Sequence, residues 1–199
     1  MNFCTWIFAW SVAAATGEKP APVDKLDVPA FLGRWYQTYG SFSVKYATEL
    51  GADCVYVDYG ALSNSSAISL VNSVQVFGHR VSVEGFAVPS PDRVGIFDVS
   101  LGPPGLAPKA PEPFRKSNYI VLMLGPRVGG KYDYAVVTDP TFLSLYVLVR
   151  DVSRFGRLHE AGVLDKVSQM GFTSFLNRPR RTNQHGCKYS DKDGTAVVV

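Results

Sequence analysis

Tyr132-Asp133-Tyr134-Ala135-Val136-Val137-Thr138-Asp139-Pro140-Thr141-Phe142-Leu143-Ser144-Leu145-Tyr146-Val147-Leu148-Val149-Arg150 holds two short runs of β-branched, aromatic and aliphatic residues, kept apart by a turn-forming segment. Each run is too short for an ordinary helix, and both are rich in Val and Tyr, which suit a pleated surface. They read as strands over 132–138 and 144–150. The same pattern recurs outward along the chain at 33–42, 53–61, 67–74, 80–88, 93–100 and 117–124, with Gly, Pro, Asn or Ser between the runs. Eight such strands predict an all-β fold, an eight-stranded antiparallel up-and-down barrel. Closure removes the exposed sheet edges, and this strand number leaves room for side chains plus one small ligand. A β-sandwich is the rival, but an immunoglobulin-type bridge joins two strands within the sheets around a central Trp. Here Cys54 and Cys187 are separated by almost the whole domain.

One α-helix is expected near the C-terminus. From Ser153 as cap, residues 154–170 place Phe155, Leu158, Val163, Val167 and Met170 near one face, with Gly171 as the stop. That stripe should pack on the outside of the barrel. Between Leu101 and Phe114 five prolines remove backbone donors and prevent any ladder, which makes a long loop, either a lid or a surface connection. Arg178-Pro179-Arg180-Arg181 reads as a solvated strap.

The chain has 199 residues, enough for one domain with a well-filled core. Residues 1–17 contain no charged side chain, run apolar through Trp6-Ile7-Phe8-Ala9-Trp10 and end in small residues, so they read as a signal peptide cleaved near Ala15 or Gly17. Residues 18–199 form the mature domain, expected to be secreted and extracellular. Cleavage removes Cys4 and leaves Cys54 and Cys187, an even pair that predicts one disulfide in an oxidising compartment. The net charge of +3 is spread thinly and makes no nucleic-acid patch. His79, His159 and His185 lie on separate elements without metal-ligand spacing. No Gly-x-Ser-x-Gly turn or Walker-type phosphate loop occurs. Asn64-Ser65-Ser66 is a glycosylation sequon in an expected turn.

Leu32-Gly33-Arg34-Trp35-Tyr36 resembles the first signature of the lipocalin (calycin) family. Residues 132–139, ending in Thr138-Asp139, resemble the second, and Tyr146 to Arg150 the third. Cys54-Val55-Tyr56-Val57-Asp58-Tyr59, Ile68-Ser69-Leu70-Val71-Asn72, Gly85-Phe86-Ala87 and the tail through Thr182-Asn183-Gln184 to Cys187 are similar to the apolipoprotein D branch. That branch includes insect bilin-binding proteins and the bacterial outer-membrane lipocalin. Pro140 and the length of the Pro-rich loop depart from the pattern, near strand ends.

The resemblance implies a binder and carrier of a small hydrophobic ligand, such as a fatty acid, sterol, retinoid, carotenoid, bilin or haem, with no required cofactor and no catalysis. It implies that Trp35 plugs the closed end beneath Arg150 in a cation–π contact, and that Cys54 pairs with Cys187. Tyr59, Asn72 and Tyr146 match family pocket positions. Strand alternation adds Gln37 and Tyr39 beside Trp35, and Val55 and Val57 beside Tyr59. Contact with a membrane surface or a lipoprotein stays open. Two alternatives stand beside the carrier: a Cys54-thiol isomerase of the lipocalin-type prostaglandin D synthase kind, and a ligand-free secreted interaction module built on the Pro-rich loop or basic strap.

Overall fold

A computed structural model describes residues 19–45, 51–190 and 196–198. The expected leader over 1–17 lies outside the described residues. In chain order the elements are α1 (Val28–Phe31), β1 (Gly33–Gly40), β2 (Ala52–Ala61), β3 (Ile68–Val76), β4 (His79–Pro89), β5 (Ile96–Gly102), β6 (Tyr119–Leu124), β7 (Arg127–Val128), β8 (Lys131–Tyr132), β9 (Tyr134–Thr138), β10 (Leu145–Val149), α2 (Val152–Leu158), α3 (Glu160–Gln169), β11 (Arg180–Arg181), β12 (Lys188–Ser190) and β13 (Ala196–Val198). Strands β1 to β6, β9 and β10 pair antiparallel in sequence order, and β10 closes back on β1 through pairs such as Tyr36 with Val149. The eight expected strands are therefore the eight staves of a closed barrel.

The opening stretch shows why β9 and β10 read as nearly continuous apolar runs: both of their faces are covered. Ala135, Val137 and Leu148 point into the barrel with Trp35, Val57 and Leu70. Tyr134, Val136, Leu145, Val147 and Val149 point outward and are buried under the helical segment with Phe155, Val163, Val167 and Phe172. At Gly85, a Cβ would stand 1.9 Å from the Ser100 carbonyl oxygen, so the approach of β4 to β5 requires a residue without a side chain.

The expected single helix is two helices. It breaks at His159, with φ −126° and ψ −26°. The cap is Asp151, whose carboxylate accepts from the Arg154 N–H, in place of Ser153. The inward stripe runs with i,i+4 spacing through Phe155, His159, Val163 and Val167, so Leu158 falls off it and is exposed. Gly171, at φ +90°, ends α3 in a Schellman motif: the Gly171 N–H donates to Ser168 O and the Phe172 N–H to Val167 O.

The C-terminal arm is built into the barrel wall. Strand β2 pairs with β1 only over Gly33 to Tyr36, and β11 takes the vacated side at Tyr39 and Gly40. Beyond it the Thr182 N–H donates to Thr38 O, and the Gln184 amide donates to both Gln37 O and Val55 O, stitching the two strands where they splay. The Cys54–Cys187 disulfide locks this arm. Tyr189, fully buried, stacks outside the barrel on Tyr36 and Tyr56. The basic run is thus only partly a solvated strap: Arg180 stacks on Phe42 and Phe175, and Arg181 pairs with Glu160.

Candidate functional site

The closed end is made by α1 and the start of β1. Phe31 packs at 5.2 Å on both Trp35 and Tyr59, and the Trp35 indole N–H donates to Phe31 O at 2.8 Å. The Arg150 guanidinium lies 3.7 Å from the Trp35 ring centroid. It donates to the carbonyls of Ala30, Phe31, Leu32, Arg34 and Tyr132, which include the orphan carbonyls at the end of α1. Gly33 adopts φ +103° at this crossing, and a Cβ there would meet the Arg150 Nη1 at 3.2 Å. These residues build the floor.

Above the floor lies a cavity of about 340 Å³, within the range of small-molecule sites. Its walls are largely apolar, including Val55, Val57, Leu70, Val99, Leu101 and Leu148. Gln37, Val57, Tyr59, Asn72 and Tyr146, expected from sequence, all line it. Tyr39 does not. A bulge in β1 between Gln37 and Tyr39 inverts the alternation, so Tyr39 turns outward, where its hydroxyl hydrogen-bonds Glu160 on α3. Burial first, and then the Glu160 carboxylate, raise the Tyr39 pKa to about 12.

Sequence reading missed the far wall. Tyr119 on β6 meets Tyr59 across the cavity, hydroxyl to hydroxyl at 2.9 Å. Burial raises the Tyr59 pKa to about 12, and raises Tyr119 with the help of Tyr59, so both remain neutral phenols at physiological pH. Val99 and Leu101 share an inward face with Phe97, a parity that the period-two pattern of β5 already carried. Asn118 also lines the cavity, with its amide bonded to both backbone groups of Val99.

At the mouth, Thr138 and Asp139 shape the β9–β10 turn. The Thr138 hydroxyl donates to Ser144 O, and the Asp139 carboxylate accepts from the Thr141 N–H and hydroxyl. Burial opposes ionisation of Asp139. Hydrogen bonds from the Ser144 and Thr141 side chains and from the Thr141 and Leu143 N–H groups outweigh it and hold the carboxyl below its ordinary range.

Cys54 is not a cavity thiol. It is disulfide-bonded and sits on the outer side of β2 with Tyr56 and Tyr189, which removes the nucleophile from the isomerase alternative. The Pro-rich loop returns to the barrel at its far end, where Asp98 accepts from the Arg115 and Lys116 N–H groups. Asn64 is exposed in the β2–β3 turn, at φ +58°. Among the described residues no group of His, Cys, Asp or Glu is arranged to hold a metal, and no helix is long and apolar enough to cross a membrane.

A closed eight-stranded antiparallel barrel with a C-terminal helical segment outside it and an apolar cup within is the lipocalin fold. The solved structure of insecticyanin from the tobacco hornworm Manduca sexta matches it with a TM-score of 0.54, over 83% of this chain and 85% of that one, at 16% sequence identity. No family model matches the sequence, and no curated protein matches it. At that identity the likeness is one of fold.

Proposed function

We propose that this chain is a lipocalin of the apolipoprotein D-like branch, exported from the cell, that binds and carries a small hydrophobic molecule in its barrel without catalysis or a required cofactor. The observation that carries this reading is the apolar cavity of about 340 Å³ into which the Asn72 amide projects with no hydrogen bond among the described residues. Facing the cavity and not a protein partner, that amide is available to hold water or a ligand group. An open cavity also favours the carrier over the scaffold module, for which a filled barrel would serve. The Cys54–Cys187 disulfide and the uncharged apolar leader support export, and the exposed Asn64 turn is open to a glycan.

Titration of the mature protein tests the reading, because Trp35 is the only tryptophan outside residues 1–17. Saturable one-to-one quenching of Trp35, or energy transfer from it, by a fatty acid, sterol, retinoid, bilin or haem is the expected result. A folded protein that responds to none of them overturns it.

A further inference from the structure

The cavity is uneven in charge. Among its described lining residues there is no Lys, Arg or His, and the one ionisable carboxyl is Asp139 at the mouth. Arg150, whose charge reaches Tyr59, lies beneath the Trp35 indole and commits its N–H groups to backbone carbonyls. Arg180, stacked on Phe42 and Phe175 beside β1, is likewise not part of the lining.

The hydrogen-bonding capacity is equally specific. Two phenols carry two O–H protons, and the bond between Tyr59 and Tyr119 uses one, so the pair keeps one donor beyond that bond, beside another phenol of the lining, Tyr146. Across the wall, Asn72 on β3 offers an N–H₂ donor and a carbonyl acceptor with no partner among the described residues. Asn118, by contrast, is already engaged with Val99.

A carboxylate entering this space would lose its hydration, pass the charge of Asp139 at the mouth and find no cation in the lining to pair with; neutral hydroxyl and amide donors do not replace a counter-ion. A neutral carbonyl oxygen needs only one or two donors, which is what Tyr59, Tyr119 and Asn72 supply. Building on the carrier reading, we infer that the site takes a hydrophobic molecule whose inner polar group is an uncharged acceptor, an aldehyde, ketone or amide carbonyl, and discriminates against ionised carboxylates.

The test compares molecules that share a tail and differ in charge: retinal with retinoate, and dodecanamide with dodecanoate. Each is measured by equilibrium dialysis against the full chain at about pH 7.4 and about pH 4.5, near the ordinary carboxyl pKa of ~4.3. The neutral member of whichever pair binds should be held about tenfold or more tightly at the higher pH. The gap should narrow at the lower pH, where the free acids protonate while Asp139 stays ionised. Equal affinities, tighter binding of the acids, or a gap that does not narrow would overturn the inference and leave the carrier reading standing. Binding by none of the four would overturn this inference, and the carrier reading would then stand or fall with the sterol, bilin and haem arms of the Trp35 titration.

Discussion

Arg150 and Trp35 form one unit: the guanidinium covers the indole at 3.7 Å while it donates to five backbone carbonyls from α1, β1 and β8. Burial lowers the Arg150 pKa to about 10, so the side chain is still a cation at physiological pH. No carboxylate is within ion-pair distance of it among the described residues. The carbonyls neutralise it in place of a counter-ion, and the planar fork is what lets one side chain reach so many of them.

Arg150→Lys should therefore be nearly as damaging as Arg150→Ala, because an ammonium cannot span the same acceptors. Each is expected to cost about 2–4 kcal/mol, the scale of a broken buried polar network. Urea unfolding followed by Trp35 emission measures this. A Lys variant within about 0.5 kcal/mol of the native protein, the scatter of neutral surface changes, would show that charge alone suffices.

Asp133, 2% exposed, connects the barrel to the helical segment through Arg154 and His159. Hydrogen bonds from Arg154 lower its pKa against the opposing effect of burial, with added attraction from the Arg154 and His159 charges. Since the folded pKa lies below the unfolded one, the unfolded chain takes up the proton first. The stabilisation is present in full above the unfolded value of about 3.9 and is lost as pH falls through the folded value. Asp133→Asn should cost about 1–3 kcal/mol near neutrality, as a buried group losing its charged partner does, and should flatten the acid limb of stability against pH. An unchanged acid limb would assign that limb to other carboxylates.

Most of the barrel was legible because β-strands announce themselves by period and composition. Where strand alternation misplaces a side chain, a single bulged residue is responsible. The bulge between Gln37 and Tyr39 leaves no mark in composition, yet it turns Tyr39 from the cavity to α3. The break at His159 is similarly silent, because His is neither a helix breaker nor an obvious cap; its reason is tertiary, the reach of its ring to Asp133 at 3.2 Å. Tyr119 was within reach of sequence reading, sharing the inward parity of Val121, but no local signal marks one strand's tyrosine as facing another's. The arm's insertion between β1 and β2 rests on pairings about 140 residues apart, beyond any local pattern.

The phenol pair makes a directional prediction for binding. In Tyr59→Phe/Tyr119→Phe no O–H remains at that wall, so a carbonyl-bearing ligand such as retinal should weaken by about five- to thirtyfold, the worth of one hydrogen bond near 1–2 kcal/mol. A hydrocarbon of similar size should be held no less tightly. Equal weakening of both ligands would mean that the substitutions had altered the cavity's shape, and its hydrogen-bonding role would fall.

The disulfide closes a sequence separation of 133 residues, and the arm it anchors satisfies Gln37 O and Val55 O through Gln184. In the chain-entropy model a loop of that length contributes about 5 kcal/mol. Cys54→Ser/Cys187→Ser should lower stability by about 3–5 kcal/mol. The arm then has only non-covalent attachments, β11, the Thr182 and Gln184 hydrogen bonds and the packing of Tyr189, to hold it, so trypsin should cleave first after Arg180 or Arg181, ahead of the barrel strands. The fold itself should persist, because the eight staves pair without the arm. Urea unfolding and timed proteolysis separate the two effects. If the variant unfolds globally before the arm is cut, then the arm and its disulfide are part of the barrel's cooperative core and not a clasp laid over its seam.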